Sequence, residues 1–351
     1  MSYRYALEIF RDDGTRIAQT AVEPDWTAAA QWVHFTGVRR GALPPVMPTR
    51  ATLAAASVAP VWHSDRGRPH VSAVRVGFPQ PGRRAVERDI PIVYLQAVAR
   101  AVAASLVADG RLADGESFRY GVNAYPTEAA EPAAAMGGFA VEEIEQPLPL
   151  RQASLAARRR VAIGEASDTA ADDLPVFLPQ AVLDETMALA RRAGDVETGG
   201  VLVGHLCRDP SLPEIFVEVT TQVAAPHTQA HAAKLTFTAD TWAAVRDAIA
   251  LRRRGEMMVG WWHYHPDFCR VRQCPAERRR SCAASSAFFS NEDVALHATL
   301  FPRPHNTALL ISDSTTDGLR ASLFGWRQGM VTGRGFDTLP TGRQHVDGSG
   351  D

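Results

Sequence analysis

The stretch Met257-Met258-Val259-Gly260-Trp261-Trp262-His263-Tyr264-His265-Pro266 decides the reading of this chain. An apolar and aromatic run follows the charged residues 252–256 and closes on His-x-His-Pro. A short run of that kind reads as a buried strand. Side chains at i and i+2 share a strand face, so His263 and His265 point the same way at its C-terminal end. Pro266 cannot donate to a ladder, and the chain leaves the sheet there. Two imidazoles side by side on a rigid strand end are half of a zinc site, or else an ordinary pair near a sheet edge.

Two other segments bear on that choice. Upstream lies Glu197-Thr198-Gly199-Gly200-Val201-Leu202-Val203-Gly204, a Glu heading a Gly-Gly strand. Downstream lies Phe288-Phe289-Ser290-Asn291-Glu292-Asp293-Val294-Ala295-Leu296, which holds a Ser-x-x-Asp. In that order the three segments resemble the JAB/MPN metalloprotease family and its JAMM motif. Residues 259–262, 306–312 and 323–326 resemble the family's flanking strands, and the likeness spans about residues 175–330. It implies an α/β (α+β) domain with a central mixed β-sheet flanked by helices. It also implies a catalytic Zn2+ on His263, His265 and Asp293, with a fourth position left open for water. Glu197 would be the general base and Ser290 the donor to the developing oxyanion. On the residues alone, Ser290-x-x-Asp293 is equally a helix capping box, and one reading does not exclude the other. The bond cut, by the same resemblance, is an isopeptide or peptide bond at the C-terminus of a ubiquitin-like protein.

The chain departs from the family pattern after Pro266. Family members usually place the Ser fewer than ten residues on; here residues 267–289 intervene. This insertion carries Cys269, Cys274, Cys282 and the run Arg278-Arg279-Arg280. Long loops in compact domains are usually functional or disordered. Three clustered cysteines point to a second, structural zinc, with Cys207, His227 or His231 as the expected fourth ligand. The bland alternative is three unliganded thiols, and for the arginines a solvated run.

Composition sets the frame. A chain of 351 residues with 46% hydrophobic content can build two domains with cores. The formal net charge of −2 gives no electrostatic case for nucleic acid or a membrane surface. No apolar run approaches the ~20 residues that span a bilayer. The opening residues carry Glu8 and no long apolar region, so no signal peptide is read there, and the four cysteines are expected as thiols or ligands in a cytoplasmic protein. Lys234 is the one lysine beside abundant Arg and Ala, a bias that looks like a GC-rich bacterial genome.

Taken in order, residues 1–128 read as a smaller N-terminal α+β domain: strands at 3–10, 16–22, 71–78 and 118–125, a helix capped by Asp25, and a helix over 91–108. No catalytic constellation occurs in it. Residues 129–174 are rich in Ala, Pro and acidic residues and read as a linker, with a helical part expected at 155–160. Residues 175–330 form the JAB/MPN-like domain, and 331–351 a flexible tail. The expected function is a zinc metallopeptidase acting on a ubiquitin-like protein or its conjugates, with E1/E2-like enzymes of the same pathway as further partners. In bacteria such proteins resemble those of ubiquitin-like conjugation operons, some tied to phage defence. The alternatives are a non-catalytic MPN-type scaffold, or a JAB-fold protein acting on DNA-linked or small-conjugate substrates.

Overall fold

The computed structural model describes residues 2–65, 68–127, 143–164, 170, 172–225, 237–279, 282, 288–313 and 318–341. The chain divides into two compact units. One comprises Met1–Leu148 with Gln328–Met330, the other Pro149–Arg327 with Val331–Asp351.

The first unit runs β1 (Ser2–Arg11), β2 (Arg16–Val22), α1 (Thr27–Arg39), β3 (Val46–Met47), α2 (Arg50–Ala54), β4 (Ser57–Asp65), β5 (Arg68–Gln80), β6 (Arg83–Pro91), α3 (Gln96–Ala108), β7 (Phe118–Thr127) and β8 (Gln146–Pro147). Its two three-stranded sheets have the orders β2-β1-β7 and β4-β5-β6. Leu7, Ile9, Val33, Val74, Ile90 and Leu95 are fully buried and mark its core. The sequence expects β1, β2, β5 and β7 but not β4 or β6. Pro60 hides β4, and a proline is tolerated there because β4 lies at a sheet edge. In β6 only Val86 and Ile90 are buried, too sparse a pattern to read. The helix expected over 91–108 begins later: β6 ends at Pro91, and a 3-10 turn spans Ile92–Leu95. Asp25 sits one residue before the N-cap, and its Oδ1 accepts from Thr27 N at 2.8 Å.

The second unit runs β9 (Leu150–Gln152), α4 (Leu155–Val161), β10 (Ile163–Gly164), β11 (Val176–Pro179), α5 (Gln180–Ala193), β12 (Thr198–Arg208), β13 (Ile215–Ala224), α6 (Ala239–Arg252), β14 (Met257–His265), α7 (Phe268–Val271), α8 (Ala276–Arg279), α9 (Asn291–Leu300), β15 (Thr307–Ser312), β16 (Arg320–Arg327), β17 (Met330–Arg334) and β18 (Asp337–Leu339). Among the described residues they form a ten-stranded mixed sheet of order β10-β18-β11-β13-β12-β14-β15-β16-β17, with β9 beside the far end of β12. The α/β class and the central mixed sheet are as the sequence reading expects.

β14 lies inside this sheet, antiparallel to β12 and parallel to β15. Burial on both faces explains its unbroken apolar run. Trp261 and Trp262 are fully buried on opposite faces. At ~25 cal/mol per Å2 and roughly 150–250 Å2 each, either ring contributes roughly 4–6 kcal/mol as an upper estimate. Trp261 packs with Phe301 and Ala308, and Trp262 Nε1 donates to Gln222 Oε1 at 2.9 Å.

Two glycines let the neighbouring strands close on β14. A Cβ at Gly200, paired with Trp262, would come within 2.6 Å of the indole Nε1. A Cβ at Gly260 would overlap the Thr307 carbonyl of β15.

Residues 331–341 depart from the flexible tail that their composition implies. The turn Gln328–Gly329 has positive φ at both residues, 53° and 78°, the geometry of a tight hairpin turn between β16 and β17. β18 then inserts between β10 and β11. Arg327 grips the buried Asp173 through two hydrogen bonds of 2.6 and 2.8 Å, and Arg334 donates to the Leu174 carbonyl. The stretch read as a linker carries β8, β9 and β10 within its described part, besides the helix expected at 155–160, which is α4.

Gly260→Ala is expected to destabilise the protein by about 3 kcal/mol, at the upper end for overpacking because the obstacle is backbone. Urea unfolding measures it, and an unchanged midpoint would contradict the packing described.

Stability should also respond to acid. Burial pushes His297 down to about 3 and His305 down to about 4. Both are neutral when folded and take up a proton near pH 6.5 when unfolded, so their contribution is complete above that pH and falls away below it. These two groups together should lower the unfolding free energy by about 3–4 kcal/mol between pH 7 and pH 5, and His297→Gln should remove about half of that share. Equal stabilities at the two pH values would refute it.

Candidate active site

The site is assembled from three elements. β14 delivers His263 and His265, 1% and 5% exposed. Their Nε2 atoms lie 2.9 Å apart. The start of α9 delivers Asp293, whose Oδ1 is 3.4 Å from His263 Nε2 and whose Oδ2 is 3.5 Å from His265 Nε2. The turn before β12 delivers Glu197, 9% exposed. Thr198 pairs with Tyr264, so continuing that antiparallel register sets Glu197 against His265.

Local sequence fixes each arm. Ser290 is the N-cap of α9: its Oγ accepts from Asp293 N at 3.1 Å, and Asp293 Oδ2 accepts from Ser290 N at 2.8 Å. The Ser-x-x-Asp is therefore a capping box, and that box sets Asp293 facing the two imidazoles. The turn carrying Glu197 is pinned twice. Tyr264 Oη donates to the Gly194 carbonyl at 2.9 Å, and Arg270 in α7 donates to Asp195 Oδ1 at 2.6 and 3.0 Å. Arg270 reaches Asp313 as well, at 3.3 Å.

Aromatic rings enclose the imidazoles. Trp261 stacks on His263 at 4.6 Å between centroids, with Phe289 on a further side at 5.7 Å. Phe268 and Phe288 flank His265 at 5.4 and 5.3 Å. Trp261 Nε1 in turn donates to His297 Nδ1 at 3.0 Å.

Burial in this shell pushes His263 down, so it holds a neutral ring with a lone pair to offer. Burial alone would raise Asp293, but hydrogen bonding from His263, His265 and Ser290 outweighs it and holds the carboxyl well below the usual range.

These donors fit a zinc ion. A tetrahedral zinc with bonds of ~2.0–2.1 Å places its ligand atoms about 3.3–3.4 Å apart. The observed separations of 2.9, 3.4 and 3.5 Å bracket that value. Two imidazoles and one carboxylate also leave a position open, as a catalytic zinc requires.

Glu197, Ser290, Asp293 and His265 line one cleft of ≈ 710 Å3 together with Phe268, Arg272 and Phe288. A profile described as JAB1/Mov34/MPN/PAD-1 ubiquitin protease matches residues 174–282. The chain carries a JAB/MPN domain. The matched stretch contains Glu197, His263 and His265 and stops short of Ser290 and Asp293, so those two join the site by geometry. No curated protein matches the chain. Among solved structures, the solution structure of a protein from Desulfitobacterium hafniense is similar over 48% of this chain and 97% of its own length, at 20% identity and a TM-score of 0.34. That likeness is too loose to bear on function.

The cysteines divide. Cys269, Cys274 and Cys282 lie with their sulfur atoms within 4.8 Å of one another. Cys207 is elsewhere: it packs in a core with Leu155, Phe177 and Phe216. It stands in β12 roughly 26 Å beyond Gly199, the partner of His263, at ~3.3 Å per residue. Cys207 therefore cannot complete a site with the other three, which corrects the expectation drawn from its strand. His227 and His231 lie outside the described residues.

Sequence reading missed Arg270, Phe268, Phe288 and His297. Arg270 had a local signal, since Asp267 accepts from its N–H as the N-cap of α7. The aromatic shell had none, because its rings come from separate elements.

Asp293→Asn should leave α9 capped and weaken zinc binding by more than the ~10–100-fold that outer-shell changes cause. Competition with a chromogenic chelator, beside a circular dichroism spectrum, measures both. Undiminished affinity would remove Asp293 from the ligand set.

Proposed function

We propose that this JAB/MPN domain is a zinc-dependent (iso)peptidase acting at the C-terminus of a ubiquitin-like protein. The observation that carries the reading is the cluster of His263, His265 and Asp293 beside a cleft that His265 and Asp293 line together with Glu197 and Ser290. When bound at the three donors, zinc supplies Lewis acidity and brings the pKa of a water molecule toward ~7.

The protein's own groups do the rest. Glu197, held by the pinned turn, accepts a proton from the attacking water and passes it to the leaving amine. Water is thereby divided between acyl carbon and amine, giving a carboxylate and a free amino group. Ser290 Oγ accepts from Asp293 N, and its hydroxyl, engaged with the Asp293 carboxylate in the resting site, turns to donate to the carbonyl oxygen as charge develops there. The aromatic shell keeps the donors out of bulk water and strengthens each electrostatic contact. A cleft of ≈ 710 Å3 exceeds the needs of one side chain and suits an extended tail of several residues. In this reading the N-terminal unit recognises the modifier, its conjugate or an E1/E2-like enzyme of the same pathway.

Ubiquitin-like fusions incubated with parent and Glu197→Gln, scored by mass with zinc counted on the same samples, test the proposal. Cleavage should fall ~10²–10⁴-fold in Glu197→Gln with zinc retained. Ser290→Ala should lose ~10²–10³-fold and about 1 kcal/mol of helix capping, whereas Ser290→Thr keeps the hydroxyl for both. Equal cleavage by Glu197→Gln would sink the assigned base. Zinc without cleavage of any fusion would overturn the substrate class, and a protein that binds no zinc would be the scaffold.

A further inference from the structure

The insertion between Pro266 and Ser290 holds a second donor cluster that the peptidase chemistry does not use. Cys269 is fully buried within α7, and Cys274 and Cys282 are half-buried. Their sulfurs lie within 4.8 Å of one another, and no pair is joined as a disulfide. A tetrahedral zinc with Zn–S bonds of ~2.3 Å separates its sulfurs by about 3.8 Å, so the cluster has the right span. Thiolates are soft donors, suited to zinc and unsuited to magnesium or calcium.

The backbone around them is wound for the purpose. Cys274 N donates to the Cys269 carbonyl at 2.9 Å, across a turn in which Gln273 takes a positive φ of 53°. Arg279 Nε donates to the Cys274 carbonyl at 2.9 Å, and Cys282 N reaches the Arg279 carbonyl at 3.4 Å. This segment has almost no apolar core. Among the described residues from 268 to 282, Cys269 alone is buried, and Val271 is exposed. Segments that cannot bury enough apolar surface are usually held by a metal or a disulfide.

We propose that Cys269, Cys274 and Cys282 bind a structural zinc ion, distinct from the one at His263, His265 and Asp293. The ion clips the insertion shut and so holds the α7 wall of the cleft. Phe268 and Arg272, which line the cleft, flank Cys269 in α7 and the turn after it. The thiols release their protons to solvent on binding, so the site weakens as pH falls.

Metal counting on the purified full chain tests this apart from the catalytic centre. The parent is expected to carry two zinc ions. The double variant His263→Ala/His265→Ala should keep one, Cys274→Ser should keep one, and Cys207→Ala should keep two. The His263→Ala/His265→Ala protein loaded with cobalt should show intense thiolate-to-metal charge-transfer absorption, abolished by adding Cys274→Ser. An unmutated readout runs in parallel: a chelator should expose three further thiols of the parent to a thiol reagent. That readout stands even where Cys274→Ser fails to fold. A metal-free His263→Ala/His265→Ala protein that retains its circular dichroism spectrum, an unchanged zinc count in folded Cys274→Ser, an intramolecular disulfide by mass, or an iron–sulfur absorption in place of zinc would each overturn the proposal.

Discussion

The pairing of β12 with β14 is the constraint on which the rest of the site depends. Gly200 stands opposite Trp262 so closely that its missing side chain is what admits the indole, and the indole nitrogen is then tied to Gln222 on β13. A slip of one residue would turn every side chain of β14 to the other face. His263 and His265 would then lie where Trp262 packs, and two buried tryptophans would lose their places. The glycine contacts, the indole hydrogen bond and the burial of both rings all oppose that slip. The same register that orients the two histidines also brings the residue before β12, Glu197, against His265.

The remaining ligand is set independently, by the first turn of a helix. Asp293 closes a capping box with one oxygen while both of its oxygens face the imidazoles. Helix start and ligand position are thus one event, which is why a short polar motif far along the chain can complete a site framed by a sheet. Arg270 ties the third element in place. By bonding to both Asp195 and Asp313 it links α7 to the turn that carries Glu197 and to the end of β15. Arg270 is itself exposed and so is Asp195, while Asp313 is half-buried, so the arginine's role is one of geometry more than of stability.

Much of this was legible where local spacing and chemistry coincide. His263-x-His265-Pro266 reads as a strand end with two side chains on one face and Ser290-x-x-Asp293 as a cap, and the structure has both of them. The sheet's two-sided burial was legible from the unbroken run 257–262. The rings around the imidazoles were not, since Phe268, Phe288 and Phe289 come from loops and helix ends with no periodicity of their own. Cys207 misled because its strand starts beside the site, while the residue itself lies at the strand's other end. Residues 330–339 misled for a different reason. Gly- and Thr-rich composition resembles a frayed terminus, yet the double positive φ at Gln328–Gly329 makes a hairpin, and buried Phe336 and Thr338 fasten the last strand.

The insertion of β18 has a bearing on how the protein is made. β18 pairs with β11 on one side and β10 on the other, joining residues 337–339 to 163–164 and 177–179. These are contacts of very long sequence separation, which form late. During synthesis the first sheet of the N-terminal unit can close once residue 127 has emerged. The larger sheet has all of its proposed ligands and proton-handling groups in hand by position 293, yet it waits for a strand more than forty residues further on before its edge is sealed. Translation order therefore delays completion of the domain until residue 339 has emerged, by which time residues 1–148 have had the chance to fold.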